Sequence, residues 1–206
     1  MAPGHVAHGM RASYGMTHIT SDHISAWERG TALPSAPELA ALAGALWCAP
    51  SELIGAPRTL REHRLARGFA IEDVARATGL DVHAYQLMES TGEWTGTSRQ
   101  SAALAAVLAL SPRDFITVTG LDGELAQLLH EAVGTRWQAH TRSIARLLSA
   151  DRRELSGPLR EMHQEYQELM TATLSRAGGS SASGEAGLRY LEEILDHFWS
   201  KFPPAH

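Results

Sequence analysis

The sequence predicts an all-α protein in which one small helical unit is used twice, followed by a separate C-terminal helical region. Three observations predict it. Alanine and leucine dominate the 206 residues while runs of Val, Ile and Thr are scarce, and Ala and Leu lose little on entering a helix. Apolar residues recur at helical spacing, as with Leu125, Leu128, Leu129 and Val133 at i, i+3, i+4 and i+8. The stretch PELAALAGALWCAPSELIG (Pro37–Gly55) returns as RQSAALAAVLALSPRDFIT (Arg99–Thr117), with Leu42 on Leu104, Leu46 on Leu108, Pro50 on Pro112 and Ile54 on Ile116 at a constant offset of 62. Self-similarity of that length implies a single supersecondary unit laid down twice.

Residues 1–57 make the first copy. GHVAHGMRASYG (Gly4–Gly15) fits the second helix of the unit, which leaves this copy altered or N-terminally incomplete. The alternative is that this stretch is the first helix and the second is lost. MTHIT then forms a turn longer than its counterpart, because Val6 to Trp27 spans seven residues more than Val74 to Met88. SDHISAWERG is a short helix with Thr20 or Ser21 at its N-cap and Ile24 and Trp27 facing inward. A helix from Pro37 to Leu46 follows. Cys48, the single cysteine, reads as a small core residue. Pro50 opens a last short helix with Glu52 in its first turn, which suits the helix dipole.

Residues 58–120 make the second copy, at full length. Leu60, Leu65 and Phe69 give one helix an apolar side, and Ile71, Val74 and Ala75 give the next. Gly79 sits where a tight helix–helix turn needs positive φ. A helix from Asp81 through Met88-Glu89 answers to the first copy's Trp27-Glu28. Helix, glycine turn, helix is the helix-turn-helix order.

Residues 121–206 are helical by pattern. After the Leu125–Val133 stripe come Ile144, Leu147 and Leu148, then Leu159, Met162, Tyr166, Leu169, Met170 and Leu174, with Gly157-Pro158 predicted to kink a helix or start one. GGSSASG (178–184) reads as a flexible linker. The final segment sets Leu188, Leu191, Ile194, Leu195, Phe198, Trp199 and Phe202 on one broad apolar side, which needs a groove to cover it.

The remaining composition narrows the function. Net charge is -5, and neither the first 120 residues nor the rest is basic, so affinity for nucleic acid must come from a local arginine patch. No apolar run is long enough for a membrane span, and no basic-then-apolar leader opens the chain, which places the protein in the cytoplasm. Eleven histidines carry no metal-ligand spacing. There is no nucleophile motif and no phosphate-cradling glycine loop, so neither an enzymatic activity nor a cofactor is expected.

The order Leu60-Arg61-x-x-Arg64, Glu72-Asp73-Val74-Ala75, Gly79-Leu80, then the Trp27-Glu28-Arg29-Gly30 type of helix end, proline and LAALAGAL (39–46) resembles the Cro/cI-type (XRE) helix-turn-helix family. The resemblance covers about residues 1–120 and implies two tandem lambda-repressor-like units, a double-stranded DNA target and a homodimer. Carried onto the first copy, it implies base contacts from Ser21, Asp22, His23, Ser25 and Ala26 at the start of a recognition helix. Thr20, Arg29 and Thr31 flank that helix for phosphate contact. In the second copy Asp81, His83 and Gln86 face outward from the corresponding helix, where Asp81 and Glu89 oppose a phosphate backbone. Arg61, Arg64 and Arg67, at i, i+3 and i+6, form either a phosphate clamp or a solvated face paired with Glu62, Glu72 and Asp73. For the C-terminal region a dimerisation face of Leu191, Ile194, Leu195, Phe198 and Trp199 is the leading expectation. A small-molecule or protein effector site lined by Trp137, Tyr166, Trp199 and methionines is the second. The leading function is a sequence-specific DNA-binding transcriptional regulator. The alternative is a module that keeps the fold and binds another regulator instead of DNA.

Overall fold

In the computed structural model, which describes residues 1–175 and 182–202, the chain is all-helical, with fourteen helices and no strand among the described residues. It divides into two compact units, Met1–Thr91 and Gly92–His206. The sequence divides at 57 and 120 instead. One reason lies in the connection after the first copy, where only 55–59 separate two helices that pack on each other.

The first unit holds α1 (Pro3–Tyr14), α2 (Ser21–Glu28), α3 (Ala36–Leu46), α4 (Pro50–Ile54), α5 (Leu60–Ala66), α6 (Ile71–Thr78) and α7 (Val82–Thr91). α1 packs on α2 and α3 through Val6, Ala7, Met10, Ile19, Ile24 and Ala41, with Trp27, Leu42 and Leu46 against them. Arg11 ties the intervening turn by donating to the Ile19 carbonyl at 2.6 Å. Gly44 lets the Tyr14 ring lie flat on α3, because a Cβ there would meet the Tyr14 hydroxyl. α1 ends at Gly15 and α6 at Gly79, both left-handed, at φ 66° and 68°. The extra seven residues of the first copy are therefore one more turn of α1 and a longer loop before Thr20.

The second unit holds α8 (Ser98–Leu108), α9 (Pro112–Thr119), α10 (Asp122–Gly134), α11 (Trp137–Leu148), α12 (Arg152–Ser175), α13 (Ala182–Glu192) and α14 (Ile194–Lys201). α10, α11 and α12 pack on one another over Leu125, Leu129, Val133, Ile144, Leu148, Leu155, Leu159 and Met162, all buried. Trp94 is fastened to this unit by its indole N–H on Ser101 Oγ at 2.8 Å and its backbone N–H on the Thr119 carbonyl at 3.2 Å.

In the pair α3 and α8 the repeat carries over to the caps. Ser35 and Thr97 N-cap α3 and α8, each with a capping-box partner three residues on, Glu38 and Gln100. Both helices end on a left-handed non-glycine residue, Trp47 at φ 58° and Ala109 at φ 47°. Trp47 is 93% exposed. Cys48 beside it is half-buried rather than a core residue.

Several expectations for the C-terminal region change. Of the two readings of Gly157-Pro158, a helix start is excluded, since α12 runs through Pro158. The final apolar segment is two helices, broken at Glu193, and α14 packs on α10 and α12 of its own chain. Ile194 and Phe198, 2% and 0% exposed, are intrachain core, so they are withdrawn from the dimerisation face, while Leu191, Leu195 and Trp199 stay half-buried. Two of the aromatics expected to line an effector site lie beside other rings of their unit. Trp199 meets Phe198 edge-on at 4.9 Å and Tyr166 lies 5.9 Å from Tyr190. The linker 178–184 falls outside the described residues up to 181, and its last three lie in α13.

Candidate nucleic-acid interface

α2 buries Ile24, leaves Ser25, Ala26 and Trp27 half-buried, and turns Ser21, Asp22, His23 and Glu28 outward. Thr20 stands at its N-cap, and the Thr20 backbone N–H donates to His23 Nδ1 at 3.2 Å, closing a capping box in which a histidine takes the usual Glu position. The exchange fixes the His23 ring at the helix N-terminus, so Nδ1 serves the cap. Ser21, Asp22 and His23 are exposed, and Ser25 and Ala26 half-buried. Beyond the helix Arg29 is exposed, and Thr31 donates its hydroxyl to the Ala26 carbonyl at 3.1 Å, which holds the exit loop against the helix end.

α6 and α7 pack on each other across a turn at Gly79. Leu80 donates to the Ala75 carbonyl at 2.9 Å to close the end of α6. Asp81 then caps α7 by accepting from the backbone N–H of His83 at 2.9 Å and Ala84 at 3.2 Å. Asp81, His83 and Gln86 are all exposed, but the Asp81 carboxylate is committed to the cap.

The arginine stripe does not survive as drawn. Arg61 and Arg67 are exposed, but Arg64 is 4% exposed. Its Nε and Nη2 donate to the two Glu89 carboxylate oxygens at 2.8 and 2.7 Å, and its Nη1 donates to the Phe69 carbonyl at 2.9 Å. This fork-to-fork pair locks α5 to α7. Arg64 is therefore removed from the phosphate contacts, and Glu89 presents no free charge to a backbone. Burial disfavours the Arg64 charge, but Glu89 more than offsets it and holds the guanidinium above its ordinary value. Burial, with Glu89 adding, pushes the neighbouring Tyr85 phenol up as well. Sequence reasoning missed this pair because steps of three were read as one face. On a helix of 3.6 residues per turn each such step drifts by about 60°, and Arg64 lies four after Leu60, on the buried side. Glu89, four after the buried Tyr85, carried the same signal.

Of the residues expected to meet DNA from the first copy and the arginine stripe, the polar helix start of Ser21, Asp22 and His23 and the arginines Arg29, Arg61 and Arg67 are exposed. Hydroxyl and imidazole groups can hydrogen-bond base edges, and guanidinium groups can take phosphate. Among the described residues no three His, Cys, Asp or Glu side chains are grouped to hold a metal ion, and no single helix is long and apolar enough to cross a membrane. No known protein family, no curated protein and no solved structure matches this chain.

Proposed function

We propose that this chain is a sequence-specific, double-stranded DNA-binding transcriptional regulator of the Cro/cI type, acting as a homodimer in the cytoplasm. The observation that carries the reading is the start of α2: a capped helix whose first turn turns Ser21, Asp22 and His23 outward, with Arg29 exposed just past its far end. A helix N-terminus also favours an anionic ligand through its unpaired N–H groups and dipole. Base reading belongs to this helix. α7 is the poorer reader, since the Asp81 carboxylate is spent on its own cap, and Arg61 and Arg67 serve as backbone grips. Dimerisation uses what α13 and α14 leave uncovered, Leu191, Leu195 and Trp199, and not the buried Ile194 and Phe198.

Fluorescence anisotropy of the full chain on genomic fragments at about 50 mM salt tests this, because a few phosphate contacts already hold at that ionic strength. The expected result is saturable binding that His23→Ala with Ser25→Ala makes indifferent to sequence, while Arg29→Ala weakens it on every fragment alike. Absence of binding at that salt removes the proposal.

A further inference from the structure

The corner between α10 and α11 gathers a hydroxyl, an imidazole and a carboxylate. Thr135 stands at the C-cap of α10, with Glu131 in the last turn before it. Arg136 stands at the N-cap of α11, with His140 in the first turn after it. His140 Nδ1 lies 3.3 Å from Glu131 Oε2, and His140 Nε2 lies 3.3 Å from Thr135 Oγ1. A carboxylate only accepts, so in the neutral ring Nδ1 carries the proton and Nε2 presents its lone pair to the hydroxyl. The Thr135 hydroxyl also donates to the Glu131 carbonyl at 2.6 Å. One hydrogen therefore has two acceptors, and rotation about Cβ–Oγ1 carries it from the carbonyl to the imidazole. Thr78, Thr119 and Thr141 bond back to their own helices in the same manner. What sets Thr135 apart is the nitrogen on its other side. Thr20 also meets an imidazole, but there His23 Nδ1 is spent on the α2 cap.

The surroundings suit chemistry at this corner. Thr135 and Glu131 are exposed and His140 is half-buried, so the ring is held while the hydroxyl meets solvent. Arg136 gives α11 no side-chain cap, and the first N–H groups of a helix have no partner inside it. Those open donors follow Thr135 directly in the chain. We infer that Thr135, His140 and Glu131 form an acyl-transfer site whose substrate is a small carboxylic ester with a good leaving alcohol. His140 Nε2 takes the Thr135 proton as Oγ1 bonds to the ester carbonyl carbon, and Glu131 holds the ring and stabilises the imidazolium. The bond from that carbon to the leaving oxygen then breaks, and His140 gives its proton to the departing alcohol. Water repeats the sequence: it yields a proton to His140, its oxygen bonds to the acyl carbon, and Thr135 Oγ1 leaves with the proton restored. The open N–H groups at the start of α11 are the donors for the oxyanion in both halves. A good leaving group is required because a site at the surface gains little from binding the rest of its substrate. The spacing of the three residues matches no nucleophile motif; only the α10–α11 corner unites them. The inference is independent of DNA binding.

The test is labelling of the full chain with a fluorophosphonate, whose phosphorus Oγ1 attacks with loss of fluoride, followed by peptide mass spectrometry. An adduct at Thr135 is expected. Thr135→Ser should keep it, Thr135→Val should remove it, and His140→Ala should slow it by about a hundredfold or more. Glu131→Gln, which takes away the charge facing the imidazolium, should slow it as well. Turnover of p-nitrophenyl acetate should fall in the same order. Imidazole alone also cleaves that ester, so the Thr135→Val chain, which keeps all eleven histidines, is the baseline. Thr135 and Glu131 are exposed, so their variants read the site even where His140→Ala loosens the corner. No adduct at Thr135, an adduct there that His140→Ala leaves at its original rate, or ester turnover equal in the wild type and Thr135→Val would overturn the inference.

Discussion

Arg64 and Glu89 show how one buried pair sets local geometry. With side-chain exposures of 4% and 7%, neither charge has water to fall back on, and the loss of one partner strands the other. Arg64→Ala should therefore destabilise the chain by about 3–5 kcal/mol, whereas Arg64→Met with Glu89→Leu should recover most of that. Denaturant unfolding of both variants checks the difference; equal losses would mean the pair is not what couples α5 to α7. Glu38 makes a milder case. Burial raises its carboxyl, but hydrogen bonds from Ser35 and the His18 partner at 3.0 Å outweigh burial and leave it below its ordinary value of 4.5. A depressed carboxyl contributes stability in full above that ordinary value and loses it as pH falls through the lower folded value. Glu38→Gln should remove this acid-side loss while keeping the cap, as Gln100 does in the second copy. Thermal unfolding from pH 7 down to about 3 would show the wild type falling relative to the variant.

Between helices, the unit's logic is carried by caps and turns, and these were the most legible parts of the sequence. Pro50/Pro112 and Gly79 are placed by spacing and by turn chemistry alone, and α4 and α9 begin at those prolines while α6 ends at Gly79. The left-handed ends at Trp47 and Ala109 were not legible, since neither residue favours positive φ and only the fold imposes it. The break at Glu193 was hidden for a related reason: an unbroken apolar periodicity does not record a one-residue turn. The inward side of Arg64 was legible only through its spacing of four from Leu60, a signal that the steps of three to Arg61 and Arg67 masked. Two consequences follow for the helix ends. Ala109→Gly should be neutral or stabilising by up to about 1 kcal/mol, because glycine pays no steric cost in the left-handed region. Gly79→Ala, at φ 68°, should cost about 1 kcal/mol in the same assay. The reverse order of these two effects would contradict the assigned ends.

For the whole molecule, charge is the quantity that limits the proposed DNA binding. A net charge of -5 repels a polyanion at long range, so the protein gains no general steering and must rely on contacts made at close approach. Outside the buried Arg64, the interface arginines are Arg29, Arg61 and Arg67. Each phosphate neutralised on duplex DNA releases counterions and adds about -0.9 to the slope of log K against log salt. Three such contacts per chain therefore give a slope of about -2.7, and a dimer about twice that. Anisotropy from about 50 to 200 mM salt measures it directly. Arg61→Ala should flatten the slope by about 0.9 per chain, and Arg64→Met with Glu89→Leu should leave it unchanged, because Arg64 is spent inside the protein. A slope that the second variant flattens as much as the first would put Arg64 back on the backbone and contradict the buried pair. A slope near zero would mean that whatever binding exists is not to phosphates, and the backbone grip assigned to Arg29, Arg61 and Arg67 would fall with it.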